Sequence, residues 1–261
     1  VEIIDDNAFE KCNNLVEVSF SKDSKLRIIG KYCFSESTIH NIFIPKKVET
    51  IDEDAFYRCT NLEEVKFDED SELKHLNRYS FAHSSIERIS IPNEVLILKE
   101  RTFTNCKNLR EIIFSRESKL KTIEQYVFSN SKISTLELGE EFEEFKEGWC
   151  RFANYLNEIN IPRTNKNFII NENNFILGKT KSKNKTKKDE EEDEENNNDN
   201  SNVYDSIYFA PRNIKEVNIP RFIKTIESYA FSGCNQIKLI QIDETSKLEK
   251  LNKESFSHSS I

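Results

Sequence analysis

Apolar positions recur along this chain at a spacing far longer than one helical turn or one strand. Phe9, Phe34, Phe56, Phe81, Phe103 and Phe128 follow one another at alternating long and short steps, spaced 25, 22, 25, 22 and 25 apart. Periods of about 20–50 residues are the mark of stacked-repeat architectures, in which each unit buries its apolar face only against its neighbours. The same two steps lead on to Cys150, an apolar substitute, and to Phe175, while Phe231 and Phe256 are again one long step apart. A second landmark carries the register between them, since Ile39, Ile86, Ile133 and Ile214 all precede the next anchor by the same interval. The first three closely follow the anchors Phe34, Phe81 and Phe128, but Ile214 lies far beyond Phe175, so a single insertion interrupts an array of ten anchors. The expected organisation is a repeat array over 1–175, an insertion over 176–211 and the same array again over 212–261. Val1 aligns with Val48, and Ile261 with Ile86, so both ends fall within the repeat and the chain reads as a piece of a longer array.

The unit from Ile51 to Phe67 shows what one rung is made of. Asp52 or Asp54 is placed to cap a short helical turn, because a carboxylate oxygen accepts from the amides that follow it. Phe56 and Cys59, three apart, share one face of that turn. Leu62, Val65 and Phe67 then predict a short strand with its apolar residues inward, as do Leu109/Ile112/Phe114 and Ile86/Ile89/Ile91. Burying about five apolar side chains yields roughly 7–15 kcal/mol. Ordering more than twenty residues costs about 1–2 kcal/mol each in backbone entropy. A lone rung therefore does not fold; stacked rungs cover one another, with each strand parallel to the last.

The stretches ETIDEDAFYRCTNLEEVKF, SIERISIP and TIESYAFSGCNQIKLIQI resemble the BspA-like branch of the leucine-rich repeat family, known from bacteria and parasitic protists. The resemblance covers essentially all of the chain outside the insertion. It implies a curved solenoid of about ten rungs, with a parallel β-sheet on the concave face and short helical turns or loops on the convex side. It also implies a cell-surface or secreted protein that adheres to host matrix or to other cells. The chain departs from the pattern at Cys150 and at Asn167, which stands where other units have Leu26, Leu73 and Leu120.

Composition narrows the functions. A net charge of −8 argues against nucleic acid, whose phosphates demand a basic face. No apolar run approaches the ~20 residues that cross a bilayer. His40, His75, His83 and His258 are scattered, His83 and His258 being equivalent positions on the convex turn, and no nucleophile, phosphate-loop or metal-ligand motif is present. No catalytic, cofactor or metal site is expected, and the protein reads as a non-enzyme. Cys12, Cys59, Cys106 and Cys234 each stand three places after an anchor. Two rungs separate the first three from one another, about 10 Å at ordinary strand spacing, beyond the ~7 Å reach of a disulfide. They are expected to be buried, reduced thiols, as is Cys33 in a small slot shared with Ala8, Ala55 and Ala230.

The insertion has apolar flanks (Phe175–Gly178 and Ile207–Pro211) able to pair as a hairpin, around a lysine-rich, then acidic, then asparagine-rich tip at 179–202. That tip has nothing to bury and is expected to be disordered, either a tolerated loop or a charged tether. The outward positions of the long strands are the better place for recognition. Glu17, Asn41, Glu64, Arg88, Glu111, Thr135 and Glu158 occupy one such position on successive rungs, and Phe43 and Ile113 lie two places further along theirs. These nine are the candidate partner-binding residues, for a protein partner with a basic or matrix-type surface. The alternation of acids with other residues also serves plain solubility and avoids like-charge stacking. An intracellular scaffold using the same face is the alternative function.

Overall fold

The computed structural model describes residues 1–21, 23–180 and 204–259. The chain winds as a β-solenoid, each regular coil contributing a two-residue strand, a tight turn that carries the anchor, and a strand of a second wall. The two-residue strands β1 (Ile3–Ile4), β3 (Ile28–Ile29), β5 (Thr50–Ile51), β7 (His75–Leu76), β9 (Ile97–Leu98), β11 (Thr122–Ile123) and β13 (Glu144–Phe145) form one seven-stranded sheet. On the second wall, β2 (Glu17–Val18), β4 (Asn41–Ile44), β6 (Glu64–Phe67), β8 (Arg88–Ile91) and β10 (Glu111–Phe114) form a five-stranded sheet, followed by the pair β12 (Thr135–Glu137) and β14 (Glu158–Asn160). Past these, β15 (Phe168–Ile170), β16 (Ile176–Gly178), β17 (Ser206–Phe209), β19 (Thr225–Ile226) and β21 (Lys250–Leu251) make a separate sheet, and β18 (Glu216–Ile219) pairs with β20 (Leu239–Ile242). Every pairing is parallel except β15–β16 and β16–β17.

The short helical turn is a correction: among the described residues there is no helix. Around every anchor except Phe175, the residues two before and two after take left-handed backbone angles, as do Asp54 (φ 56°) and Arg58 (φ 54°) around Phe56. Alternate amides then face different ways. Phe56 N donates to Ser80 O (2.8 Å) and Arg58 N to Ala82 O (2.9 Å) of the next coil, while Ala55 N and Tyr57 N turn back to Asp52 O and Asp54 O. A helical turn would spend all these amides inside its own coil and leave the neighbour's carbonyls unanswered. The ladder wins over local helical preference, although each left-handed residue costs roughly 1–2 kcal/mol. Asp52 caps without a helix, its Oδ1 accepting from Glu53 N (2.7 Å) and from Asn77 Nδ2 of the next coil (2.8 Å).

Inside the solenoid the anchors form a column. Phe9, Phe34, Phe56, Phe81, Phe103 and Phe128 stack face to face at 5.1, 5.3, 5.1, 5.8 and 6.3 Å between ring centres. All six cysteines are free, five of them buried. Cys59 Sγ donates to Phe34 O (3.0 Å) and Cys106 Sγ to Phe81 O (3.1 Å), so these thiols tie neighbouring coils together. Burial pushes Cys33 and Cys59 from 9.0 up to about 12 and Cys106 to about 11. A raised folded-state value means that the folded chain holds protons the unfolded chain releases. This contribution is complete below pH 9 and declines as pH rises towards 11–12. By pH 10.5, Cys59 is expected to have lost about 2 kcal/mol of stabilisation. Urea midpoints of wild type and Cys59→Ala at pH 8 and 10.5 measure it: the wild type loses more over that interval, and equal losses would overturn the assignment.

Candidate functional site

Strand alternation sets the outward file on the second wall. Glu17, Asn41, Glu64, Arg88 and Glu111 are in-register neighbours on five hydrogen-bonded strands, and Thr135 stands opposite Glu158 on the pair that follows. Their flanking Ile42, Val65, Ile89, Ile112, Leu136 and Ile159 are buried, so the alternation in the sequence becomes an in–out alternation in space. Phe43 is 42 % exposed beside Lys66, while Ile113, opposite Ser90, is half-buried. The carboxylates do not all stand alone. Glu64 meets Lys66 at 2.8 Å and Glu111 meets Arg88 at 2.5 Å, contacts that neutralise the middle of the file. Sequence spacing alone hides this, because the pairing depends on which rotamers reach across a strand.

The seven-stranded ladder stops after β13, and on that wall the next coil joins it through side chains. Asn165 Nδ2 (2.8 Å) and Asn167 Nδ2 (3.2 Å) both donate to Phe142 O, which explains why asparagine replaces the buried leucine of the other units. The strand after Asn167 then turns into the antiparallel run β15–β16–β17, whose last member rejoins the solenoid beside β19. The flanks of the charged segment are thus buried strands, Leu177 opposite Ile207 and Gly178 opposite Ser206. Of the charged tip at 179–202, expected to be disordered, residues 181–202 lie outside the described residues. Two residues share the next anchor's duties. Phe175 supplies the ring, edge-on to Phe231 at 5.5 Å, and Ala210 N supplies the ladder bond, to Ala230 O at 3.1 Å.

Between Cys150 and Phe231 the column contains a guanidinium. Arg212 is 2 % exposed, and it stands five places after Ile207 as Phe231 stands five after Ile226, the strand residue paired with Ile207. Nη1 donates to Ala210 O (3.1 Å) and Ala230 O (2.8 Å), Nη2 contacts Cys150 Sγ (3.0 Å), and the group lies 4.8 Å above the Phe209 ring. Counting from the anchors missed it, because the insertion hides the register; counting from Ile207 would have found it. A cleft of about 430 Å³ opens at the same seam, between Glu144, Lys146 and Trp149 on one side and Tyr208, Glu227 and Lys250 on the other.

On the turn wall the coil of Ala210 is short, and side chains of the Cys150 coil reach past it to the coils of Phe231 and Phe256, Arg151 lying over the Tyr229 ring at 5.4 Å. Arg151 reaches Glu254 (3.2 Å), Lys253 reaches Glu147 (3.3 Å), and the Phe152 ring lies against His258. Gly148 makes this possible. It has φ +65° where other coils carry Tyr32 or Tyr79, and a Cβ there would lie 2.6 Å from Tyr126 Cε1. Gly148→Ala is expected to cost about 1–3 kcal/mol, from the left-handed backbone and the displaced ring. Thermal denaturation checks this; an unchanged midpoint would remove Gly148 from the account.

The sequence model of the BspA type leucine rich repeat region matches in six copies over residues 1–75, 74–184 and 198–261. Among solved structures, the pneumococcal vaccine antigen PcpA superimposes with a TM-score of 0.72 at 18% identity, over 89% of this chain and 54% of that one. A leucine rich cell surface protein from Faecalibacterium prausnitzii A2-165 gives 0.61 at 15% identity, over 96% and 69%. A leucine-rich repeat protein from Eubacterium ventriosum gives 0.53 at 19% identity, over 90% and 50%. The chain spans about half the length of PcpA. A search of the curated proteins found no match.

Proposed function

This chain belongs to the BspA-type leucine-rich repeat family, and we propose that it is a non-enzymatic recognition module that binds a protein partner through the outward face of its second-wall sheet, at the cell surface or in the secreted space. The observation that carries this reading is the in-register file from Glu17 to Glu111 with the exposed Phe43 ring beside it. A rigid sheet presents such side chains without an ordering cost on binding, and a partly exposed aromatic is the kind of residue that dominates interface energy. The Faecalibacterium neighbour is a cell surface protein and PcpA is a vaccine antigen, which supports the location.

With Glu64 and Glu111 paired internally, charge attraction falls to Glu17 and Glu158 at the ends of the file, and Phe43 and Ile113 carry the contact. Immobilised basic matrix proteins test this by interferometry at 50 and 300 mM NaCl. Binding is expected to weaken as salt rises, because exposed charges are screened. Phe43→Ser is expected to weaken it about tenfold or more. Binding indifferent to both changes would place the interface elsewhere. The six free cysteines favour one other reading, an intracellular scaffold using the same face. Locating the full-length product in or outside its cell separates the two.

A further inference from the structure

The turn wall carries a spot whose charge runs against that of the whole chain. Arg58, His83 and Asn105 hold the same place, two after Phe56, Phe81 and Phe103 on three successive coils, all with left-handed φ of 54°, 61° and 57°. The turn ladder holds them side by side, Arg58 N donating to Ala82 O and His83 N to Thr104 O, each at 2.9 Å. Lys107 follows closely, its amide bonded to Asn105 O (2.9 Å). The net charge of the protein is −8, yet neither Arg58 nor Lys107 has an ion-pair partner among the described residues.

The Arg58, His83 and Asn105 side chains are also held in place. The Arg58 guanidinium lies 5.3 Å from the centre of the Tyr57 ring, and that ring stands edge-on to His83 at 5.4 Å. A relay of amides orients the imidazole. Asn130 Nδ2 donates to Asn105 Oδ1 (2.9 Å), which turns the Asn105 NH₂ towards His83 Nε2 (3.2 Å). Nε2 is therefore the acceptor, and the proton of the neutral ring sits on Nδ1. A directed N–H thus lies within the field of two cations, Arg58 and Lys107, that have no ion-pair partner among the described residues.

We propose that Arg58, His83 and Lys107 form a binding site for a tetrahedral oxyanion, the sulfate or phosphate ester of a partner, on the turn wall and separate from the second-wall face. The two cations supply charge, and the Nδ1–H of His83 supplies a directed hydrogen bond, the combination that recognises such groups. The groups facing His83 are Tyr57, Arg58, Asn105 and Lys107. Burial first, then Arg58 and Lys107, hold its pKa below the usual histidine value. A bound dianion offsets the two cations, so protonation becomes easier, and by linkage the protonated form binds the anion more tightly.

NMR titration of the imidazoles tests the site, using sodium sulfate and sodium phosphate against sodium chloride at equal ionic strength. His258, at the equivalent repeat position but packed on Phe152, is the internal reference. The His83 midpoint is expected to rise by about half a unit more than that of His258, equal to about threefold tighter binding to the protonated form. Arg58→Gln and Lys107→Gln should each reduce that excess shift. Glucose 6-sulfate and glucose 6-phosphate as further ligands then tell the two ester chemistries apart. Equal shifts of both histidines would reduce the effect to general screening and overturn the site. So would an excess shift that survives both substitutions.

Discussion

Arg212→Ala is expected to destabilise the protein by about 3–5 kcal/mol, the combined cost of losing hydrogen bonds to a charged donor and of leaving a cavity. Three losses combine. Ala210 O and Ala230 O lose a guanidinium donor, the contact with Cys150 disappears, and the space above the Phe209 ring is left unfilled. Arg212→Met separates volume from charge. It fills the slot without the cost of burying a cation, and should lose about 1–2 kcal/mol, since burial of an ionic group often trades evenly against a hydrophobic one of similar size. Urea denaturation of the three proteins measures both numbers. Alanine and methionine variants of equal stability would mean that the guanidinium fills space and nothing more; an alanine variant about as stable as wild type would mean that the seam does not depend on it.

Phe81→Ala is expected to cost about 3–5 kcal/mol, the usual range for emptying a buried aromatic site. Phe81 is fully buried between Phe56 and Phe103, at 5.1 and 5.8 Å, so its loss removes two stacked contacts at once. Phe9 has one stacked neighbour and is only half-buried, and Phe9→Ala should cost about half as much. In a solenoid each coil is stabilised mainly by its neighbours, so a weak coil divides the array. Phe81→Ala should broaden the unfolding transition or split it in two, whereas Phe9→Ala should fray one end. Calorimetry reads the difference, and a single sharp transition lowered equally by both substitutions would show that the column does not act coil by coil.

Much of the architecture was legible in residue spacing. The alternation of long and short steps between anchors predicts coils that superimpose, and the stacked rings from Phe9 to Phe128 realise it. The outward file from Glu17 to Glu158 was legible too, because a strand presents alternate residues to one side. The turns read as helical because the local sequence around Ala55 and Phe56 suits a helix, and only the demand of the adjacent coil for hydrogen bonds redirects its amides. The arginine of the turn wall that faces His83, and the amide relay behind it, were not legible, since the polar side chains that meet there come from different coils.

By itself, the order of residues determined that apolar groups at fixed intervals must be covered by the next unit, since no single unit buries enough surface to fold alone. It could not decide how the array closes across its interruption. There the count of residues loses its meaning, and whichever groups fill the volume and answer the free carbonyls take the vacant places: a ring from Phe175, an amide from Ala210 and the guanidinium of Arg212. Spacing specifies a repeat only while each residue has the same neighbour as its equivalent, and at the seam that condition ends.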